Sequence, residues 1–560
     1  MSINTKRSLL IFLLPIGLGI AAFFLVVGLS PLLPSNTAWL NGQDPSTHYL
    51  GWSFFRHTPW SWPLGLNPNY GLSISSSIVF SDSIPLLAFL FKPFSALLPE
   101  PFQYIGIWVL LCFILQAWFS WKLAQLISDD WRIQLLICGL LGVFAPPFLK
   151  RLGLHAALMG QFVILASLYL NFRTNQSKSL LAWLTLMLVG ALINIYLLAM
   201  IGGLWIANLI DRYFGKKISI KKIIAEVSVI LLCTTFCLWQ AGYFLGVGSP
   251  ITAEGFGQYK LNVLSPFDAG RYSYILKSIP HPEDLDEGFN YLGLGLLVLM
   301  PFAIYAFFRK PVSTNTIQGN NLIPKYAFFI CIICFVLFAL SNQISIGTWG
   351  FSYPLPDFLL QKAAILRSSG RFFWPAFYTL TFYLLTIIIT RYSIRITLPL
   401  LLIAFTIQVV DTSAGWLPLK KTFASLSEHT QVNALQGPFW DAASSKYEKI
   451  VFWPLRAGQT QEHWKEIAYY AAQHRMGTNA VYLGRPADPV KVAQFNEITK
   501  KQITTDNLAE KTLYILDNTQ ENSQWLSNIA LNPKNCQLTY RGLILIASHW
   551  PRCDSIPKTP

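Results

Sequence analysis

Charge is what this chain has least of. Of its 560 residues only 12% are charged, while 53% are hydrophobic and 15% aromatic; a soluble domain carries roughly a quarter charged residues. A water-soluble enzyme of this length is excluded on that ground. Apolar runs of bilayer-spanning length, about 17–25 residues, recur along the chain. Acids are scarcer than bases, 27 against 42, which leaves a net charge of +15. In a soluble protein that excess would raise nucleic acid as a partner. Here the bases fall in short loops between apolar runs, as the positive-inside rule requires, and no aromatic–basic recognition module is present. No nucleic-acid partner is expected. Six of the eight cysteines (Cys112, Cys138, Cys233, Cys237, Cys331, Cys334) lie inside apolar runs and read as small hydrophobes. Cys536 and Cys553 stand alone in the polar tail and form a plausible disulfide if that tail faces an oxidising compartment.

What is present is a mainly α, polytopic membrane protein with a C-terminal α/β or α+β domain. The apolar runs suggest about eleven spans, near 9–29, 102–127, 133–149, 156–172, two within 180–211, 223–245, 291–308, 326–341, 372–390 and 396–410. The run 180–211 is too long for one crossing, and Asn194 marks its middle. Lys6-Arg7 before the first run, with no small-residue cleavage site after it, reads as an uncleaved span starting from the cytoplasm. Lys and Arg are several-fold denser in the segments this assigns inside than in those outside. Eleven spans put the tail outside. The expected division is a membrane domain over 1–411, with a long first outside loop over 30–101, and a soluble extracytoplasmic domain over 412–560. In the tail, Lys449–Trp453, Leu513–Leu516 and Leu543–Ala547 read as strands and Gln461–Arg475 as an amphipathic helix. No phosphate loop, metal-ligand spacing or nucleophile elbow occurs there.

The polar clusters of the membrane part all fall on the outside face. The first loop has only two acids between Ser30 and Pro99, Asp44 and Asp82, together with His48, Arg56 and His57. Asp44 could be a base, a metal ligand or a helix cap. Asp82, before Ser83-Ile84-Pro85, looks like the N-cap of a short interfacial helix. Arg151 and His155 lie between the third and fourth spans, and Glu287 and Asn290 before the eighth. Arg367 and Arg371, four residues apart at the mouth of the tenth span, either bind phosphate or snorkel to headgroups. A carboxylate among several bases is suited to deprotonating a hydroxyl and stabilising a departing phosphate.

A first span, an acid soon after it in a long outside loop, an interfacial helix and a positive-inside core resemble the GT-C class of membrane glycosyltransferases, which use polyprenyl-phosphate sugars. Gly51–Arg56, Ser81–Ala88, Glu287–Gly293 and Arg367–Phe372 resemble more specifically an uncharacterised bacterial family of GT-C-like membrane proteins. The resemblance implies a bacterial inner-membrane location with a periplasmic tail. It further implies a lipid-phosphate sugar donor in the membrane, a glycan or lipid acceptor, and inversion at the anomeric carbon with Asp44 as general base. His48, Arg56, Arg151, His155, Glu287, Asn290, Arg367 and Arg371 become candidates for holding substrate or phosphate. Many members of the class pair two acids or place an acid after the third span. Here Pro45 follows Asp44, and His155 stands after the third span. A divalent metal, Mg or Mn, and a metal-free mechanism both stay open. Two rivals remain: a non-catalytic envelope-polysaccharide assembly subunit, and a transporter of lipid-linked glycans. The near absence of ionisable groups within the spans counts against the transporter.

Overall fold

The computed structural model describes residues 3–550, apart from 75, 174–177, 246–255, 282–284, 310–325, 427–434, 457–461, 485–487, 518 and 528–534. The chain forms two compact units. One comprises Met1–Leu32, Ile105–Cys237 and Ile251–Leu426; the other comprises Leu33–Tyr104, Leu238–Pro250 and Ser427–Pro560.

The first unit is helical. The expected apolar runs are helical, the one at 133–149 broken into Trp131–Ile137, Cys138–Val143 and Pro146–Leu149, and among the described residues five helices are long and apolar enough to cross a membrane: Ile105–Ala124, Ile195–Phe214, Ile220–Ala241, Ser369–Arg391 and Ile394–Ser425. Helix Ile3–Val26 has 24 residues, while shorter apolar helices such as Ser179–Ile193, with 15, fall short of the roughly 20 that a bilayer takes. The run 180–211 does divide at Asn194. That residue is extended, and its side chain accepts the Tyr196 N–H to cap the Ile195–Phe214 helix, as a short amide at an N-cap does. Arg212 and Glu226 join this helix to Ile220–Ala241 through charged contacts of 2.9 and 3.1 Å, satisfying a carboxylate that would otherwise be costly to bury. The Ile3–Val26 helix packs on Ile105–Ala124 through edge-on rings, Phe12 on Trp118 at 4.8 Å and Phe23 on Phe113 at 6.0 Å.

Helix Leu294–Phe307 packs against both Trp374–Arg391 and Ile394–Ser425. Its entry is fixed by Gln408, whose amide donates to the Phe144 and Leu292 carbonyls and accepts the Gly295 N–H. Gly293 has φ +94°, and a Cβ there would collide with the Gln408 amide. The boundary expected at 411/412 falls inside a helix, since Ile394–Ser425 runs through it. Asp411 looked like a polar end of a span. It is buried, and its carboxylate accepts from the Ser273 hydroxyl, the Tyr274 N–H and the Tyr291 hydroxyl.

The second unit is built on a five-stranded mixed sheet in the spatial order Gly477–Thr478, Lys449–Trp453, Thr512–Asp517, Leu543–Ala547, Cys536–Tyr540. The first three strands are parallel and the remaining pairings antiparallel. The three strands and the helix read from the tail sequence are present, the helix as Trp464–Gln473. Cys536 is buried at the start of its strand; Cys553 lies outside the described residues. The first loop belongs to this unit and pairs with it directly. Gly71 N–H donates to the Thr478 carbonyl at 2.8 Å, Thr478 N–H donates to Asn69 at 2.9 Å, and the Tyr49 and Tyr469 rings stack 5.7 Å apart. The interfacial helix is short, Pro85–Phe91 followed by the turn Lys92–Phe94. The Lys92 ammonium lies 3.7 Å from the Phe55 ring centre and 4.5 Å from that of Trp60, a cation–π arrangement that tolerates its burial. Asp82 is not the N-cap of this helix. Ile84 holds that position, and Asp82 closes the preceding turn Ile78–Ser81 in a left-handed conformation, φ 50°, which Asp adopts more readily than most residues.

Gly293→Ala is expected to cost about 1–3 kcal/mol, the usual range for forcing extra volume into a packed site. Thermal unfolding of the detergent-solubilised protein would show it as a lower Tm; an unchanged Tm would contradict the packing described.

Candidate functional site

The candidate polar residues fall in four loops of the sequence. In the first unit, three of those loops converge on one carboxylate. Glu287 sits on the short helix Leu285–Gly288. Arg151 follows the Pro146–Leu149 turn and donates from Nη1 to Glu287 Oε2 at 3.1 Å. His155 Nε2 lies 3.3 Å from Oε1. Arg371, on the turn Ser369–Phe373, donates from Nε to Oε2. Arg151 is 0% exposed, and Glu287 and Arg371 are buried. His155 is the member of the group that reaches the surface, with 22% of its side chain exposed. Arg151 also lies over the Trp374 ring and Arg371 over that of Tyr196.

Close backbone approach makes this convergence possible. Gly370 N–H donates to the Tyr259 carbonyl at 2.9 Å, and its Cα hydrogens face Gly288 and Lys260 where a Cβ would lie 2.9 Å from Gly288 Cα. Asn290 stitches the same strands together. Its side-chain amide donates to the Gly288 and Gly370 carbonyls at 3.1 and 3.2 Å, and its N–H donates to Ser265 Oγ at 2.9 Å. Asn290 Oδ1 is buried with no hydrogen-bond partner among the described residues. Asn290 therefore holds the backbone of the site. Arg367 is half-buried and has no ion-pair partner among the described residues.

Burial pushes the Glu287 carboxyl up, but the Arg371 and Arg151 guanidinium groups, with hydrogen bonds from His155 and Arg371, outweigh it and hold it well below the usual carboxylate range. The guanidinium groups of Arg151 and Arg371 meet the Glu287 carboxylate, with the His155 imidazole at its other oxygen. Paired arginines suit phosphate through their planar forks.

The first-loop candidates lie in the second unit, on the helix Gln43–His57. Gly42 opens it in an extended conformation, and Asp44 and Pro45 occupy its first turn, where a carboxylate complements the helix dipole and proline loses no bond. Asp44 is half-buried. His48 is buried, its Nδ1 3.1 Å from the Ser81 carbonyl. Arg56 is buried and donates to the carbonyls of Pro99, Ser95 and Leu98 at 3.0, 2.9 and 3.3 Å. His48 Nδ1 and the two terminal nitrogens of Arg56 thus meet backbone carbonyls of the turn regions around Ser81 and 95–99. The sequence did not reveal Tyr196, whose hydroxyl accepts the Ser368 N–H while its ring faces Arg371. The break at Asn194, two residues earlier, was the available signal.

Among the described residues no group of three or more His, Cys, Asp or Glu side chains gathers as metal ligands. Glu287 faces two guanidinium groups, and the first-turn helix position of Asp44 supplies a single carboxylate. Neither donor set fits Mg or Mn, so no step below is routed through a metal.

Glu287→Gln is expected to destabilise the protein by about 3–5 kcal/mol, the cost of leaving buried cations without their counter-charge. Because the folded carboxyl titrates below its unfolded value of about 4.3, the contribution of Glu287 is complete above that pH. It is lost as the pH falls toward the folded value. Unfolding curves from neutral to acid pH check this: the wild type should lose stability on acidification and Glu287→Gln should lose less.

A comparison with curated proteins finds no match. Among solved structures the chain is similar to the archaeal oligosaccharyltransferase AglB from Archaeoglobus fulgidus, solved in complex with an inhibitory peptide and a dolichol-phosphate. The identity is 10%, over 94% of this chain and 71% of that one, with a TM-score of 0.41. A likeness at that level carries no inference about activity. A family model for a DUF6311 C-terminal domain matches residues 439–538. The model described as a domain of unknown function, DUF6311, matches residues 16–413, well over half of the sequence, and the chain belongs to that family.

Proposed function

We propose that this membrane protein is a glycosyltransferase that takes a sugar from a polyprenyl-phosphate carrier and passes it to a glycan or lipid hydroxyl outside the cytoplasm. The observation that supports this most is the meeting of buried Arg151 and Arg371 and half-buried His155 at the carboxylate of Glu287. Guanidinium and imidazole groups held together suit a phosphate that gains negative charge as it departs. The sequence resemblance to GT-C enzymes supplies the reaction class. Asp44 takes the proton from the acceptor hydroxyl, and the acceptor oxygen attacks the anomeric carbon from the face opposite the phosphate. The bond to the phosphate oxygen breaks with its electron pair, giving inversion, and Asp44 returns its proton to solvent. His155 and Arg371 hold the phosphate, with Arg151 behind Glu287 fixing their geometry; Arg367 is a further phosphate contact. On the same reading the chain crosses a bacterial inner membrane eleven times, with the tail periplasmic.

A second reading has a specific observation in its favour. Both arginines already bond to Glu287, and Arg151 is fully buried, which suits a rigid, non-catalytic envelope-assembly subunit. A lipid-linked glycan transporter gains nothing further from the geometry.

The readings separate in proteoliposomes carrying a polyprenyl-phosphate sugar. Asp44→Asn keeps the size and shape of the side chain, and a first-turn carboxylate contributes about 0.3–1 kcal/mol through the helix dipole, so the variant should fold and insert, which its Tm checks. Sugar transfer should fall about 100- to 10,000-fold, the usual contribution of a general base. Undiminished transfer would remove Asp44 from the mechanism. Donor binding without transfer by the wild type would favour the assembly subunit.

A further inference from the structure

Between the helices Tyr326–Leu340 and Trp374–Arg391 the chain makes a two-stranded hairpin, Gln343–Ile346 with Trp349–Ser352, and then a short helix, Asp357–Ala363. The register pairs Ile346 with Trp349 and Ile344 with Phe351, and it pairs Gln343 with Ser352 and Ser345 with Gly350. Directly opposed residues share a face. One face is therefore Ile344, Ile346, Trp349 and Phe351, and the other is small or polar.

The hairpin is mounted through Ser345 and its turn, while Gln343, Gly350 and Ser352 are exposed. Ser345 is buried and its carbonyl accepts the Val263 N–H at 2.9 Å. Asn262 clamps the turn, donating to the Gly347 carbonyl at 2.9 Å and accepting the Gly347 N–H at 3.0 Å. The apolar face points away from the protein: Trp349 is 71% and Phe351 58% exposed. The helix Asp357–Ala363 buries none of its residues, and Phe358 and Leu359 are exposed on it. A half-buried antiparallel sheet in water has the opposite arrangement, apolar side in and polar side out.

We propose that this hairpin and the helix after it are a membrane-interface anchor, with Trp349, Phe351, Tyr353, Phe358 and Leu359 seated at the boundary between headgroups and acyl chains. The surface is continuous with a second exposed apolar one. Helix Tyr326–Leu340, whose Ile330, Ile333 and Leu337 are exposed, ends two residues before the hairpin. The segment returns at Ser369–Phe373, where Ser369 Oγ donates to the Ala339 carbonyl, so both ends of the excursion lie at one end of the same apolar helix. Tryptophan and tyrosine favour this depth of the bilayer, with their rings apolar and their N–H or O–H groups reaching the headgroups. The anchor is independent of the sugar-transfer reading.

The test uses the full-length protein in nanodiscs of phosphatidylethanolamine and phosphatidylglycerol, a fraction of the lipid bearing a photoactivatable diazirine on the acyl chain. Lipid adducts on the 344–359 peptide are expected. Hydroxyl-radical oxidation of Trp349 is expected to be several-fold below that of Val490 and Ile498, which are 61% and 59% exposed on the second unit, although indole is the more reactive group. In Trp349→Glu/Phe351→Glu the adducts should fall several-fold with Tm unchanged, since neither side chain fills the interior. Trp349 oxidised more than Val490 and Ile498 would overturn the proposal. So would protection without lipid adducts, the outcome expected if a second copy or another protein covers the face.

Discussion

A carboxylate cannot stay charged in a protein interior without partners close enough to replace water. Glu287 meets that condition through Arg151, His155 and Arg371, and much of the first unit is arranged so that it can. The turn after Pro146–Leu149, the short helix Leu285–Gly288 and the turn Ser369–Phe373 must all reach one point. That demands the close backbone approach of Gly288, Gly370 and Lys260 and the bridging amide of Asn290. The helices Leu294–Phe307 and Trp374–Arg391 leave from this point side by side, and at their far ends Arg391 donates to the Arg309 carbonyl and Tyr392 to that of Phe302. Pinned near both ends, they hold the group in register.

Local signals in the sequence carried a good part of this. Apolar runs located the helices, because burial in lipid or in a helical core needs the same residues. Asn194 located a break, because an amide at an N-cap satisfies a helix N–H. Alternating β-branched and aromatic residues located three strands of the tail. The failures are of another kind, since each depends on partners distant in sequence. Asp411 reads as the polar end of a span, yet Ser273, Tyr274 and Tyr291 bury it within a continuous helix. Asp82 precedes a proline-led helix as a cap would, yet Ile84 occupies the cap position. The first loop reads as a free excursion, yet it belongs to the same compact unit as the tail. Of the site itself, the residue types were legible. The choice of Glu287 as the centre was not, because nothing in its local sequence sets it apart from Glu283, Asp284 and Asp286.

Membership of DUF6311 brings no activity with it, so the functional case rests on chemistry. Two features of the first unit point outward from the protein. The ion group reaches the surface at His155, and the hairpin presents exposed aromatic rings where a soluble protein would place polar groups. A headgroup-level anchor together with paired arginines suits an amphiphilic substrate whose charged end lies at the membrane surface.

The central claim, that the arginine–histidine group around Glu287 receives the phosphate of a lipid carrier, is tested most directly by calorimetric titration of the purified protein with a short-chain polyprenyl phosphate at rising ionic strength. The expected result is binding that weakens with salt. It should weaken further in His155→Ala and in Arg371→Lys, which keeps the charge but not the planar fork, with each variant's Tm confirming that it is folded. Absence of binding to the wild type, or equal affinity in all three folded proteins, would contradict the claim.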